Sequence, residues 1–258
     1  MFSRNNPNGW EVLLGVYGFW VQVYSDFSAY SDIARGTARW MGFELMKNFN
    51  QPAFATNPAD FWARWHISLS TWLRDYLFIP LGGSRRGTIR TYLNIMIVMF
   101  LGGLWHGAAW TYAVWGTFHG VILCLHRAVR PWLEKHLNPK QIFTKRAWLV
   151  CRIILFFQIT GIGLLLFRSR SFGHIGQLFA GLTHWPIREL FKNANSLAIV
   201  AAGFVILLVV QMAKEISNDA YILLRLPVPA RATLYAAGIL IFLAFGEFYG
   251  EPFIYFQF

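Results

Sequence analysis

The chain has 258 residues, of which 56% are hydrophobic, 18% aromatic and only 14% charged, with a net charge of +11. An ordinary soluble domain carries roughly 25% charged residues, so this composition excludes a disordered chain or a coiled coil and argues against a soluble globule. A basic soluble chain would suggest nucleic acid, but here Lys and Arg fall in loops between apolar runs, as in a membrane protein, and no nucleic-acid partner is expected.

The first apolar run is Trp10–Tyr24. Met1–Trp10 shows no secretory signal pattern, lacking a basic segment followed by an apolar one. The run passes into a small, polar stretch, Ser25–Asp32. Residues 33–60 contain Pro52, Pro58 and scattered charge, which predicts a loop with short helices. Phe61–Tyr76 predicts one amphipathic helix at a membrane interface. Trp62, Trp65, Leu69, Trp72, Leu73 and Tyr76 share one face, and Arg64, Ser68, Thr71 and Asp75 the other.

From Thr91 to His126 there is no Asp, Glu, Lys or Arg over 36 residues. One helical crossing takes about 20 residues, and Gly102, Gly103 and Gly107 interrupt this run near its middle. The expectation is a re-entrant or tightly packed helical pair with Trp105 and His106 at its turn. Three more spanning runs follow: Ala147–Phe167, Ser196–Ala213 and Thr233–Phe248. Cys124 and Cys151 form no CxxC pair, lie in apolar runs and are expected as buried free thiols.

Loop charge sets orientation. Residues 31–90 hold eight Lys/Arg, 127–146 six, 168–195 four and 214–231 three, with none after Phe248. If the 91–126 pair enters and leaves on one side, the two most basic segments lie together and face the cytoplasm. The fold class expected is all-α: multi-pass transmembrane helices, surrounded by membrane lipid, with broken or re-entrant helices around a tunnel.

Ionisable groups inside apolar segments are functional candidates. His106, in Leu101-Gly-Gly-Leu-Trp-His-Gly107, is the strongest: an imidazole serves as acid or base near neutral pH, and glycines let a substrate approach the backbone. From position alone it reads equally as a hydrogen-bonded core histidine. His66 lies at the edge of the aromatic face with Ser70 and Arg74 on its side, and could orient a group, hold a carbonyl oxygen or serve as a polar anchor. His119 and His126 share a helix face, but paired helices at matching depth, the pattern for axial haem ligands, are not evident. His136, His174 and His184 carry no pattern. Gly82-Gly-Ser-Arg-Arg-Gly87 reads as a cytoplasmic anchor or a contact for a phosphate-bearing ligand. No metal site is expected, and no cofactor-binding residue is assigned.

Asp60-Phe-Trp-Ala-Arg-Trp-His-Ile-Ser-Leu-Ser-Thr-Trp-Leu-Arg-Asp-Tyr-Leu-Phe-Ile-Pro-Leu-Gly-Gly-Ser84 closely resembles a signature of the membrane-bound O-acyltransferase family, in the branch of bacterial alginate O-acetylation proteins. Gly103-Leu-Trp-His-Gly-Ala-Ala-Trp110, followed by Trp115-Gly-Thr-Phe-His-Gly120, is similar to a second signature. Asp26-Phe-Ser-Ala-Tyr-Ser-Asp-Ile-Ala-Arg-Gly36 and Pro252-Phe-Ile-Tyr-Phe-Gln-Phe258 also look like this branch. The resemblance implies a single membrane-embedded acyltransferase domain over residues 1–258, corresponding to the C-terminal part of a longer fold. It implies catalytic roles for His106 and His66, and a bacterial inner-membrane location. It also implies acetyl transfer from a cytoplasmic thioester, acetyl-CoA, toward a hydroxyl of an exported polysaccharide such as alginate. No tightly bound cofactor is implied; periplasmic acetyltransferase or polysaccharide-export partners are. The alternative is a non-enzymatic transporter or flippase subunit, whose broken helices would line a permeation path.

Overall fold

A computed structural model of the chain describes residues 6–137, 142–219 and 221–245; the terminal Pro252–Phe258 motif, the last residues of the Thr233–Phe248 run and an inner part of the basic 127–146 segment lie outside them. Every regular element among the described residues is helical. The chain forms two compact units, Met1–Phe204 and Val205–Phe258, and the contacts discussed below lie within the first.

Helix α1 spans Gly9–Trp40 and opens with a capping box. The Asn8 side chain accepts from the Glu11 N–H at 3.2 Å, and the Glu11 carboxylate accepts from the Asn8 N–H at 3.2 Å. This helix runs through the polar 25–32 stretch and eight residues further, where the sequence predicts loop. Its polar last turns are tied along the helix: Arg35 pairs with Asp32 at 3.1 Å, and the Thr37 hydroxyl donates to the Ile33 carbonyl. Gly42, at φ 85°, turns the chain while the Phe43 N–H reaches back to the Ala38 carbonyl at 2.9 Å.

An irregular strap, residues 43–57, leads to α2 (Pro58–Arg64). Pro58 sits where its missing N–H is harmless, and the Asn57 side chain caps the Asp60 N–H at 3.0 Å. The expected single helix over 61–76 is broken at Trp65 and His66, and α3 covers only Ile67–Leu73 before a π-type turn at Arg74–Phe78. The break shifts the phase of the aromatic face. Leu69 and Leu73 are buried with Val98, whereas Trp72 and Tyr76 are exposed and pack on each other.

Helices α4 (Thr88–Trp105) and α5 (Trp110–His136) form the expected tight pair, joined at residues 106–109. A Cβ on Gly103 would meet the Tyr112 carbonyl and lie 3.1 Å from Gly116 Cα; one on Gly116 would meet the Met99 carbonyl. The glycines therefore serve helix–helix approach rather than substrate approach. Further down, Gly120 abuts Met96 and the Cys124 thiol reaches the Tyr92 carbonyl at 3.7 Å. This antiparallel register brings Arg85, Arg86 and Arg90 to the same end of the hairpin as Arg127 and Arg130.

Helix α6 (Ile142–Arg168) packs on α5 and α1, and α7 (Phe172–Gly181), α8 (Ile187–Lys192), α9 (Ala194–Ser217) and α10 (Val228–Phe245) follow. Thr88–Trp105, Thr144–Arg168 and Ala194–Ser217 are each long and apolar enough to cross a bilayer; Val228–Ala244 is a shorter apolar helix. Val150, Ile154 and Leu155 leave the outer face of α6 apolar and exposed, as lipid contact requires. Cys151 lies on that face, so it is exposed rather than buried; Cys124 is half-buried, and both thiols are free.

Candidate active site

His66 occupies the break between α2 and α3 in the left-handed region, at φ 43° and ψ 54°. A non-glycine residue there is strained and needs surroundings that hold it. The strap provides them: the Asn50 N–H donates to the Arg64 carbonyl at 2.9 Å and the Ile67 N–H to the Asn48 carbonyl at 3.0 Å. The Asn48 side chain accepts from the Ser68 N–H at 3.2 Å and from the Ser68 hydroxyl at 2.6 Å. The His66 ring is 7% exposed, edge-on to Phe27 at 4.7 Å between centroids. Burial first, and then the neighbouring His106, pushes its imidazole from the ordinary 6.5 down to about 3. The Ser70 N–H donates to the His66 carbonyl at 2.9 Å, while the Arg74 side chain pairs with Asp75 at 2.7 Å. The Ser68 hydroxyl lies 3.4 Å from His66 Nδ1.

His106 caps α4 where the hairpin turns, its N–H donating to the Gly103 carbonyl at 3.0 Å. It is 8% exposed, and its Nδ1 is buried with no hydrogen-bond partner among the described residues. The ring is walled edge-on by Trp105 at 5.1 Å, Trp115 at 5.1 Å and Phe167 at 5.2 Å. Trp105 also lies edge-on to His66 at 6.0 Å, so one indole touches both predicted site residues.

A third imidazole completes the cluster. His119 is 2% exposed, stacks on Phe61 and meets Trp62 edge-on at 5.1 Å and Trp115 at 4.8 Å. A Cβ on Gly163 would come within 2.8 Å of its Nε2, so α6 approaches closely there only because that residue is glycine. In the sequence, His119 by itself is a weak haem candidate with His126 and otherwise figures within the second signature, without a site role. The useful signal was its Trp115-Gly-Thr-Phe-His-Gly120 setting, four residues past Trp115 and so on the same helix face. His126 is only half-buried and lies outside this aromatic cluster.

The Gly82–Gly87 loop stands apart from the histidines. Gly82, Gly83 and Gly87 take φ values of 106°, 55° and 84°, and the Asn94 amide holds the carbonyls of Leu81 and Gly83 at 3.2 and 3.0 Å. Ser84, Arg85 and Arg86 are exposed. No group of three or more His, Cys, Asp or Glu gathers as metal ligands among the described residues.

Chemically, the cluster offers the buried imidazoles of His66 and His106 on either side of the half-exposed Trp105 indole. Comparison with known proteins gives this geometry a context. Residues 11–169 match the model of MBOAT, the membrane-bound O-acyltransferase family. The chain is 40% identical over 208 residues to the probable alginate O-acetylase AlgI of Pseudomonas fluorescens, covering 80% of this chain and 40% of that protein. It is 41% identical over 151 residues to the peptidoglycan O-acetyltransferase of Helicobacter pylori, covering 58% and 27%. It is 30% identical over 169 residues to the teichoic acid D-alanyltransferase of Bacillus subtilis, covering 63% and 42%. The chain thus spans well under half the length of these curated relatives.

Proposed function

This chain belongs to the membrane-bound O-acyltransferase family, and from that premise we propose that it moves an acetyl group from a cytoplasmic thioester, acetyl-CoA, to a hydroxyl of an exported polysaccharide, with alginate the leading acceptor. The observation that carries this reading is the burial of His66 and His106 on either side of Trp105, both inside the motifs that resemble the family's. The relatives' named activities, O-acetylation of alginate or peptidoglycan and D-alanylation of teichoic acid, support a polymer acceptor.

The chemistry needs a base, because a neutral hydroxyl is a poor nucleophile. In this proposal His106 takes the hydroxyl proton as the oxygen attacks the thioester carbonyl. The carbon–sulfur bond then breaks, and the thiolate leaves with the proton returned from the imidazole. An unpartnered buried nitrogen costs about 1–3 kcal/mol, a deficit that an acceptor hydroxyl at His106 would offset. The clustered arginines at one end of the α4–α5 hairpin suit a polyanionic donor arriving from the cytoplasm of a bacterial inner membrane. In the version of this route that runs through a periplasmic acetyltransferase, the hydroxyl attacked belongs to that partner, which then passes the acetyl group to the polymer.

The test is His106→Ala in the complete system, with the protein quantified in the membrane and ester-linked acetate measured on the polymer. Loss of a general base predicts normal protein and a fall in rate of about 10²–10⁴. Wild-type acetate per protein molecule would overturn the enzymatic reading.

A further inference from the structure

We infer that Asn48 and Ser68 are positioning residues that fix His66 in one tautomer, with the proton on Nδ1 and a bare, accepting Nε2. This rests on the reading of His66 as part of the site, and it specifies what that residue does there.

The argument starts from a group whose polarity is not in doubt. The Ser68 backbone N–H can only donate, and it points at the Asn48 side chain at 3.2 Å, so the atom it meets is the amide oxygen. The same assignment leaves the Asn48 amide nitrogen to donate to the buried Ser31 hydroxyl at 3.2 Å. The Ser68 hydroxyl lies 2.6 Å from that amide oxygen, and a hydroxyl facing an acceptor must donate. Its single proton is then committed, and only lone pairs remain for His66 Nδ1 at 3.4 Å. A bare Nδ1 would set lone pair against lone pair in a buried site. A protonated Nδ1 completes the relay Ser31–Asn48–Ser68–His66.

The consequence is chemical. The opposite nitrogen, Nε2, makes no hydrogen bond to the described residues and has no proton to give. It can accept from a second hydroxyl of a polyol acceptor, beside the one that His106 deprotonates, but it cannot donate to a developing oxyanion. Of the two roles open to His66, orienting a hydroxyl and stabilising an oxyanion, the relay selects the first. It also explains why a strained left-handed histidine is held by a strap: the bonds from residues 48 and 50 that keep the break open are continuous with the pair that sets the tautomer.

Histidine ring-nitrogen NMR on the full-length protein in lipid tests this, with the His66 signals assigned by their disappearance in His66→Gln. The wild type should carry its proton on Nδ1. In Ser68→Ala and Asn48→Ala the proton should shift toward Nε2, and kcat should fall about 10–100-fold with KM unchanged, the scale of lost outer-shell orientation. Ser68→Thr keeps the hydroxyl and should restore both. A wild-type proton on Nε2 overturns the inference, and so does an unchanged tautomer in Ser68→Ala. If Ser68→Ala fails to accumulate, the wild-type spectrum decides alone. A proton on Nδ1 together with full acetyl transfer by His66→Gln supports the tautomer assignment while overturning the site reading beneath it.

Discussion

Gly103 of α4 and Gly116 of α5 meet backbone to backbone, so close that a Cβ on either would lie 3.1 Å from the other's Cα. His106 stands one turn beyond this contact, and Trp115 immediately before Gly116. The crossing therefore sets the spacing between the imidazole and the ring that walls it, 5.1 Å between centroids.

Substitution at this crossing should be costly because the obstructing atoms are backbone and cannot swing away. Gly116→Leu would drive its side chain into the Met99 carbonyl region and part the hairpin. Overpacking of this kind costs about 1–3 kcal/mol or more. We expect the variant to be depleted from the membrane and to show a lower thermal midpoint. Wild-type abundance and midpoint would mean the hairpin tolerates separation.

The hairpin also makes a topological prediction. Its antiparallel register places Arg86 and Arg130 at one end, and the positive-inside rule makes that end cytoplasmic. With Cys124 and Cys151 replaced by serine, Arg86→Cys and Arg130→Cys should react with an impermeant thiol reagent only when the cytoplasmic face is open. Labelling from opposite faces is incompatible with α4 and α5 as a hairpin in the membrane.

The hairpin was legible in the sequence because two signals agreed there: a charge-free run too long for one crossing, and a glycine cluster at its midpoint. The length of α1 was not. Scattered charge beyond residue 32 reads as loop when charge is taken as solvent exposure, yet the Asp32–Arg35 pair and the Thr37 back-bond satisfy that polarity along a continuous helix. The break at His66 was also hidden. Nothing in Arg-Trp-His-Ile-Ser marks a left-handed residue, and the conformation is imposed by the strap through Asn48 and Asn50, nearly twenty residues upstream. Burial of His66 and His106 follows from the motifs only by resemblance. Their shared contact with Trp105 needed the tertiary structure.

His119 should prove to be a packing residue that supports the site through Trp115. It stacks between aromatic rings and has no described polar partner at Nδ1. His119→Ala would leave a cavity costing about 2–5 kcal/mol and should reduce protein abundance. His119→Phe keeps a ring in the slot and should retain acetyl transfer within a few-fold, measured per protein molecule. A loss above about 100-fold in a fully abundant His119→Phe would instead assign the imidazole a chemical role.

The last prediction concerns acid. Burial holds the native His66 imidazole down at about 3, against 6.5 for a free one. Below pH 6.5 the unfolded chain therefore binds a proton that the native protein refuses. By linkage, the contribution of neutral His66 to stability is complete above 6.5 and is lost progressively as the pH falls toward 3. The slope is about 1.4 kcal/mol per pH unit for one proton, so the loss between 6.5 and 5 is at most about 2 kcal/mol. Thermal midpoints of the wild type and His66→Gln, compared at pH 7.5 and pH 5, isolate this residue from the other buried histidines, which both proteins share. The wild type should lose more stability on acidification than the variant does. Equal losses would mean that His66 titrates normally in the folded protein, and hence that water reaches its ring.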